Sequence, residues 1–211
     1  MNDDQMFAAI TAQRHRLIGR LESLDDAQWN APSLCDGWKV RDVVGHLVWI
    51  LETPMWKMVP TIVLAGGFDR ATDKTAHQLG TRPRRQLIDA YRALAGKRFT
   101  PPGFGPTAPL TDVLVHTRDI ERALGLASTL DAADLRVALD FLTGGKARTF
   151  VAKGLLDGLR FEATDQDWAA GQGALVRGTG EALMMSMTGR SNSFGDLEGD
   201  GAASYIARFT R

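Results

Sequence analysis

The chain has 211 residues, of which 44% are hydrophobic and 24% are charged, as in an ordinary globular protein of one large domain or a bundle with a small appendage. Its 25 basic and 25 acidic side chains balance, so no charge excess indicates nucleic acid or an anionic membrane as a partner. The single cysteine, Cys35, excludes an intramolecular disulfide, and we expect a reducing, cytoplasmic setting. The polar N-terminus lacks the pattern of a secretory signal, and charges and prolines interrupt the longest apolar stretch, so no membrane span is predicted.

The first part of the chain predicts amphipathic helices separated by loops. Apolar residues at helical spacing indicate a first helix over residues 4–24 and a second from about Val40 to Leu51. Turn-forming residues between Trp29 and Trp38 indicate a loop, and Pro54 is expected to kink or end the second helix. Weak periodicity and three glycines predict that residues 65–83 form a long exposed loop over a cleft.

Further along, the predicted secondary structure changes from helices alone to a mixture of helices and strands. We predict helices over residues 84–97, 109–124 and 131–153, strands over 159–164 and 174–178, and helices over 181–187 and 202–209. Gly144 and Gly145 are expected to weaken the middle of the fifth helix. The fold class is therefore mainly α: an up-and-down helical bundle over residues 1–154, followed by a small α+β domain over residues 155–211.

A candidate metal site begins with Asp112 and His116, which stand four residues apart in a predicted helix. Residues at this spacing project from the same helix face, as paired metal ligands do, although an Asp and a His so placed also simply hydrogen-bond each other. His46 lies in an apolar helical stretch, where burying an unsatisfied imidazole is costly. Two histidines and a carboxylate suit zinc or another borderline divalent ion with an open coordination position. His15 and His77 are expected to be solvated.

The residues around this site resemble a known family. The run Pro32-Ser-Leu-Cys-Asp-Gly-Trp38-Lys-Val-Arg-Asp-Val-Val-Gly-His46, with Trp29 before it, is similar to the N-terminal signature of the mycothiol-dependent maleylpyruvate isomerase family. Val115-His-Thr-Arg-Asp-Ile-Glu-Arg-Ala-Leu-Gly125 resembles the second motif of that family. Stretches between Phe161 and Asp200, including Thr188-Gly-Arg190, resemble its smaller sterol-carrier-like domain. The resemblance implies a DinB-like metal-binding bundle.

The resemblance also implies a ligand set and a chemistry. In that family a histidine of the second helix and a carboxylate and histidine four apart on a later helix hold the metal, which corresponds here to His46, Asp112 and His116. The family has glutamate where this chain has the shorter Asp112, and usually a hydroxyl residue where it has Lys39, so Asp36 is expected to cap the second helix instead. The implied cofactors are a divalent metal, zinc or another ion such as nickel, and mycothiol as cosubstrate.

Four other side chains carry a functional interpretation beside a structural one. Arg190 could hold a substrate carboxylate as a catalytic residue, or pair with carbonyls at a helix end. Asp119 could orient His116, although pairing with a nearby arginine is favoured, and Asp42 has the same two interpretations for His46. Cys35 near a helix N-terminus is an alternative nucleophile, but a packing role is favoured. No residue of the thiol-binding surface can be named.

The sequence thus favours a metal-dependent enzyme that uses mycothiol or a similar low-molecular-weight thiol to add to or isomerise a small electrophile. The expected partners are that thiol and substrate, and the chain is expected to be a monomer or a homodimer. A non-catalytic metal-binding or regulatory module is the alternative from another class, which the Asp112 departure motivates. A third hypothesis is a metal-assisted hydrolase with water at the open coordination position.

Overall fold

The structure is a computed structural model and describes residues 1–210. Its helices are α1 (Asp3–Ser23), α2 (Asp26–Trp29), α3 (Val40–Glu52), α4 (Met55–Ala65), α5 (Phe68–Gly80), α6 (Arg84–Ala93), α7 (Thr107–Glu121), α8 (Ala132–Thr143), α9 (Gly180–Met187) and α10 (Ala202–Ile206). Its strands are β1 (Leu159–Ala163), β2 (Ala169–Gly171) and β3 (Ala174–Gly178). The chain is therefore mainly α with a small α+β part, as the sequence predicts.

The described chain divides into two compact units. One contains residues 1–99 and 116–129, and the other contains residues 100–115 and 130–210, so the single helix α7 belongs to both. The domain boundary that the sequence predicts after residue 154 is based on the local change from helical to strand patterns, and it stays a prediction. Within the described residues, no helix is both long enough and apolar enough to cross a membrane.

The predicted helices of the first unit form where the apolar pattern places them. Leu17 and Leu21 on α1 and Val43 and Val44 on α3 are fully buried, so the amphipathic faces make the core. The second predicted helix ends at Glu52, before Pro54, because proline has no backbone N–H and disfavours a helical residue before it.

The prediction of a long exposed loop over residues 65–83 is wrong. Most of this segment is helix α5, whose buried face consists of the small residues Ala71, Thr72, Thr75 and Ala76. Large apolar side chains are scarce on that face, so the hydrophobic period from which helices are predicted is weak. The small face instead permits a close backbone approach to α3: a Cβ added to Gly45 would lie 2.6 Å from the carbonyl oxygen of Ala76.

The later elements agree with the sequence except for the C-terminal ends of three helices, including α6, which ends at Ala93 rather than residue 97, and one additional strand. The predicted fifth helix is shorter, because α8 ends at Thr143 and Gly144 leaves the helical conformation as its C-cap. The predicted last helix continues beyond Ile206 only as a 3-10 turn. Strand β2 was not predicted, and its three residues lie at the edge of a sheet with strand order β2-β1-β3.

The sheet of the second unit is mixed. Strand β1 pairs antiparallel with β2 and parallel with β3, and its central residue Phe161 faces Val176 in the register of the parallel pair. Phe161 and Val176 are both buried, and Phe161 meets the ring of Tyr205 on α10 edge to face at 5.3 Å. Phe161, Val176 and Tyr205 are therefore part of the buried apolar core of this unit.

Candidate metal centre

The centre of the candidate site is a pair of buried histidines. His46 on α3 is 4% exposed and His116 on α7 is 9% exposed. Their ring centroids lie 4.7 Å apart in an edge-to-face arrangement. Helix α3 presents His46 inward because Val43 and Leu47 beside it form the buried apolar face of that helix. The structure therefore brings together the two histidines that the sequence singled out.

Asp112 completes the predicted set from the turn of α7 before His116. It is half-buried, and it offers a carboxylate oxygen to a group with His46 and His116 in which all three potential ligand atoms lie within 4.8 Å of one another. Two ligands that are each about 2.0–2.2 Å from a zinc ion lie at most about 4.4 Å apart. The donor chemistry of these residues suits a divalent metal such as zinc, and the 4.8 Å limit on their spacing lies close to this maximum.

Asp119 contacts and orients His116, whereas the sequence favours pairing of Asp119 with an arginine. Its side chain is fully buried, and its Oδ2 lies 2.9 Å from Nδ1 of His116, one turn earlier on α7. Cys35 donates its Sγ–H to the same oxygen at 3.0 Å. A carboxylate on one ring nitrogen fixes the ring and raises the basicity of the other nitrogen, the usual arrangement for a histidine that binds a metal.

Cys35 thus lies beside the histidine pair. Its Sγ is 3.8 Å from Nδ1 of His116, and Cys35, His116 and Asp119 form a second group with potential ligand atoms within 4.8 Å of one another. The thiol is half-buried and in contact with Asp119. Because the thiol donates its hydrogen to Asp119, this geometry suits a hydrogen-bonding role better than that of a nucleophile.

Trp38 forms a wall of the site, and helix α5 holds it there. Its ring centroid lies 5.4 Å from that of His46 and 6.5 Å from that of His116. The indole Nε1–H donates to Oδ1 of Asp73 on α5 at 2.9 Å. Sequence reasoning missed Asp73 because it lies in the segment that was predicted to be a loop. The signal that could have revealed it is the repeat of small residues on α5, three and four positions apart.

Asp42 has a structural role at the start of α3. Its Oδ2 accepts the backbone N–H of Lys39 at 2.9 Å and lies 3.4 Å from Nδ1 of His77. The expectation that Asp36 caps this helix is wrong, because Asp42 in the first turn supplies the carboxylate that bonds the N-cap backbone. His77 is half-exposed, in agreement with its expected solvation, and His15 is exposed.

Arg190 lies in the second unit, just after α9. Its guanidinium donates to the carbonyl oxygen of Thr188 at 2.6 Å, and its backbone N–H donates to the carbonyl of Met185 at 2.9 Å. The first contact is of the kind that the structural interpretation of Arg190 predicts, a bond to a carbonyl at a helix end. Its assignment as a catalytic residue stays a prediction.

Comparison with known proteins supports the family resemblance. Residues 10–121 match the family model for the mycothiol maleylpyruvate isomerase N-terminal domain. A crystal structure of the mycothiol-dependent maleylpyruvate isomerase carrying a histidine-to-alanine mutation is similar, with a TM-score of 0.64 and 12% identity over 96% of this chain and 94% of that one. A second structure of that isomerase has a TM-score of 0.60 and 14% identity over the same shares. No curated protein sequence matches the chain significantly.

At these identities the likeness to solved structures shows the fold. It confirms the predicted architecture of a mainly α, DinB-like bundle followed by a small α+β part. The family match extends from α1 to the last residue of α7 and so includes both histidines and the carboxylate of the candidate site.

Proposed function

The chain belongs to the mycothiol maleylpyruvate isomerase N-terminal domain family, and from this premise we propose that it is a metal-dependent thiol enzyme. It uses mycothiol or a similar low-molecular-weight thiol as cosubstrate, and it isomerises or adds the thiol to a small electrophile in the cytoplasm. The observation that carries the proposal is the convergence of His46, Asp112 and His116, whose potential ligand atoms lie within 4.8 Å of one another.

These three residues would hold a divalent metal, with zinc the ion that their donor set suits best. When bound, such a metal supplies the chemistry of the site, since a coordinated sulfur is deprotonated outright near neutral pH and becomes a nucleophile toward an electrophilic substrate. Three protein ligands leave a coordination position open, as catalytic sites do and closed structural sites do not.

The remaining residues of the site orient and shield its ligands. Oδ2 of Asp119 forms a hydrogen bond with Nδ1 of His116 and so fixes the orientation of the ring. Trp38 covers one side of the histidine pair with an apolar ring, which keeps water from that side and strengthens electrostatic interactions there. Arg190 is proposed to bind a carboxylate of the substrate through its fork of donors.

Thiol titration into cobalt-loaded protein tests this proposal. We expect a sulfur-to-metal charge-transfer band that saturates with added thiol in the wild-type protein and is absent from the His46→Ala variant. His15→Ala, which removes an exposed histidine far along the sequence from the ligand set, is the matched control and should keep the band. A loaded wild-type protein that binds metal but gives no thiol band would contradict the proposal.

That same result would support the alternative of a non-catalytic metal-binding or regulatory module. The observation that favours this alternative is Asp112, whose side chain is one methylene shorter than the glutamate of the family pattern. Hydrolysis of a small substrate by the metal-loaded protein without any thiol would instead support a metal-assisted hydrolase.

A further inference from the structure

A patch of exposed apolar side chains covers the outer face of α4 and the start of α5. Its members are Met55, Trp56, Val59, Val63, Leu64 and Phe68, of which Leu64 is 87% exposed, Trp56 72% and Val63 71%. Met1 at the chain terminus is the one other exposed large hydrophobic residue between residues 1 and 210. Single exposed hydrophobic residues are normal on protein surfaces, but a contiguous group is typical of an interaction site.

Helix α4 is apolar on two opposite sides. The inner side, with Met58 and Ile62, packs into a cluster with Trp49 and Ala71. The outer side presents Trp56, Val59 and Val63 at positions i, i+3 and i+7, the spacing of a stripe that packs against another helix. A helix with apolar residues on opposite sides is normally buried on both of them. In this chain only the inner side of α4 is packed against other residues, and the outer side is exposed.

We propose that this patch is the interface of a homodimer, in which α4 of one copy packs against α4 of the other. The six side chains expose on the order of 500 Å² of apolar surface, if about 150–250 Å² for each aromatic residue and about 60–120 Å² for each aliphatic one are scaled by the exposed fractions. A two-fold contact would bury about twice that area, on the order of 1,000 Å², which is about the least that a specific interface buries. A single amphipathic stripe is also self-complementary, as a two-fold contact requires.

The charges around the patch favour a second copy over a lipid surface. Helices that lie on membranes carry several lysines or arginines on their polar face. In α4 the one charged residue is Lys57, whose ammonium lies 4.9 Å from the ring centroid of Trp56. The chain as a whole has no net charge, so attraction to anionic lipid is not expected.

Sedimentation equilibrium of the full chain over a wide range of protein concentration tests the proposal. We expect a monomer–dimer equilibrium for the wild type and a dissociation constant at least about a hundredfold weaker for Leu64→Glu, because the dimer would bury an unpaired carboxylate. Val63→Glu, a second variant at an exposed position, should behave in the same way. Both variants should keep the circular dichroism spectrum of the wild type, since neither side chain contributes to the core.

Gln78→Glu is the matched control, because it adds the same charge at an exposed position of α5 away from the patch, and it should leave the dimer unchanged. A wild type that stays monomeric at high concentration, or a Leu64→Glu variant that dimerises normally, would overturn the proposal. So would binding of monomeric wild type, but not Leu64→Glu, to vesicles of phosphatidylcholine and phosphatidylglycerol, which would assign the patch to lipid.

Discussion

Asp119 links the candidate metal site to the loop before α3, because one carboxylate oxygen contacts both His116 and Cys35. The oxygen lies 2.9 Å from Nδ1 of His116, so a hydrogen bond between them holds the imidazole in the orientation of a ligand. The contact is within one helix turn and does not depend on the loop. Its effect on metal affinity can therefore be tested by a change that preserves the volume of the side chain.

We expect Asp119→Asn to lower zinc affinity about 10- to 100-fold, the usual cost of losing a carboxylate that supports a ligand histidine. Competition with a chromophoric chelator measures this affinity directly. Asp36→Asn is the control, since Asp36 is exposed and lies in the same loop as Cys35. Equal zinc affinities for Asp119→Asn and wild type would show that the Asp119 contact does not tune the metal.

At this scale the spacing of residues along the chain predicts what lies within one helix, whereas the family resemblance was needed to place His46 of another helix beside His116. The four-residue spacing of Asp112 and His116 fixes their common face, and this pair was predicted. The 3.0 Å contact between Cys35 and Asp119 joins residues 84 positions apart. Such a contact depends on how a loop folds against a helix, which no local pattern encodes.

Among the elements, α3 and α5 approach each other closely, and Gly45 is a residue that permits this approach. A Cβ at position 45 would lie 2.6 Å from the carbonyl oxygen of Ala76 and 2.8 Å from the backbone nitrogen of Gly80. Both neighbouring atoms belong to the backbone, so relief of the clash requires the backbones of α3 and α5 to move apart. Because α5 carries Asp73, this movement would also disturb the hydrogen bond that holds Trp38.

We expect Gly45→Ala to lower the free energy of unfolding by about 1–3 kcal/mol through overpacking, despite the better helix propensity of alanine. Gly19→Ala is the control, because Gly19 lies on the exposed face of α1 with nothing near its added Cβ. That variant should gain about 0.5–1 kcal/mol. Urea unfolding of both variants measures the difference, and a stabilised Gly45→Ala protein would contradict the close approach.

The same helix pair explains which elements the sequence could predict. Helix α3 was predicted because valine and leucine mark its buried face, whereas α5 was missed because alanine and threonine do so. A pattern of large apolar residues indicates a helix that packs at ordinary distance. A pattern of small residues indicates close packing, but it resembles the composition of a loop when glycines precede and follow it.

For the molecule as a whole, two units share one helix, and this arrangement was beyond local patterns. Residues 100–115 group with residues 130–210, although residues 116–129 lie between them. The change from helical to strand patterns after residue 154 concerns secondary structure, whereas the units are defined by contacts between distant segments. The sterol-carrier-like character of residues 155–211 likewise stays a prediction.

The free energy of unfolding at alkaline pH depends on Tyr205, which is buried in the core of the second unit. Burial raises the pKa of Tyr205 well above its ordinary value, against smaller opposite effects of a hydrogen bond with Ser186 and the charge of Arg208. Above about pH 10 the unfolded chain loses this proton while the folded chain keeps it. The unfolded state then binds fewer protons, so stability is complete below about pH 10 and falls with further increase, by about 1.4 kcal/mol per pH unit.

Tyr205→Phe removes this ionisation and leaves the ring in its edge-to-face contact with Phe161. We expect the variant to be less stable than wild type by about 1 kcal/mol at neutral pH, since the hydroxyl bond to Ser186 is lost. The difference should shrink and then reverse above about pH 10. At that pH only the wild type loses stability through Tyr205, because this tyrosine ionises in the unfolded chain and not in the folded one. Urea unfolding of both proteins at neutral and alkaline pH measures this, and because all other groups titrate in both proteins, parallel pH profiles would exclude Tyr205 as the cause.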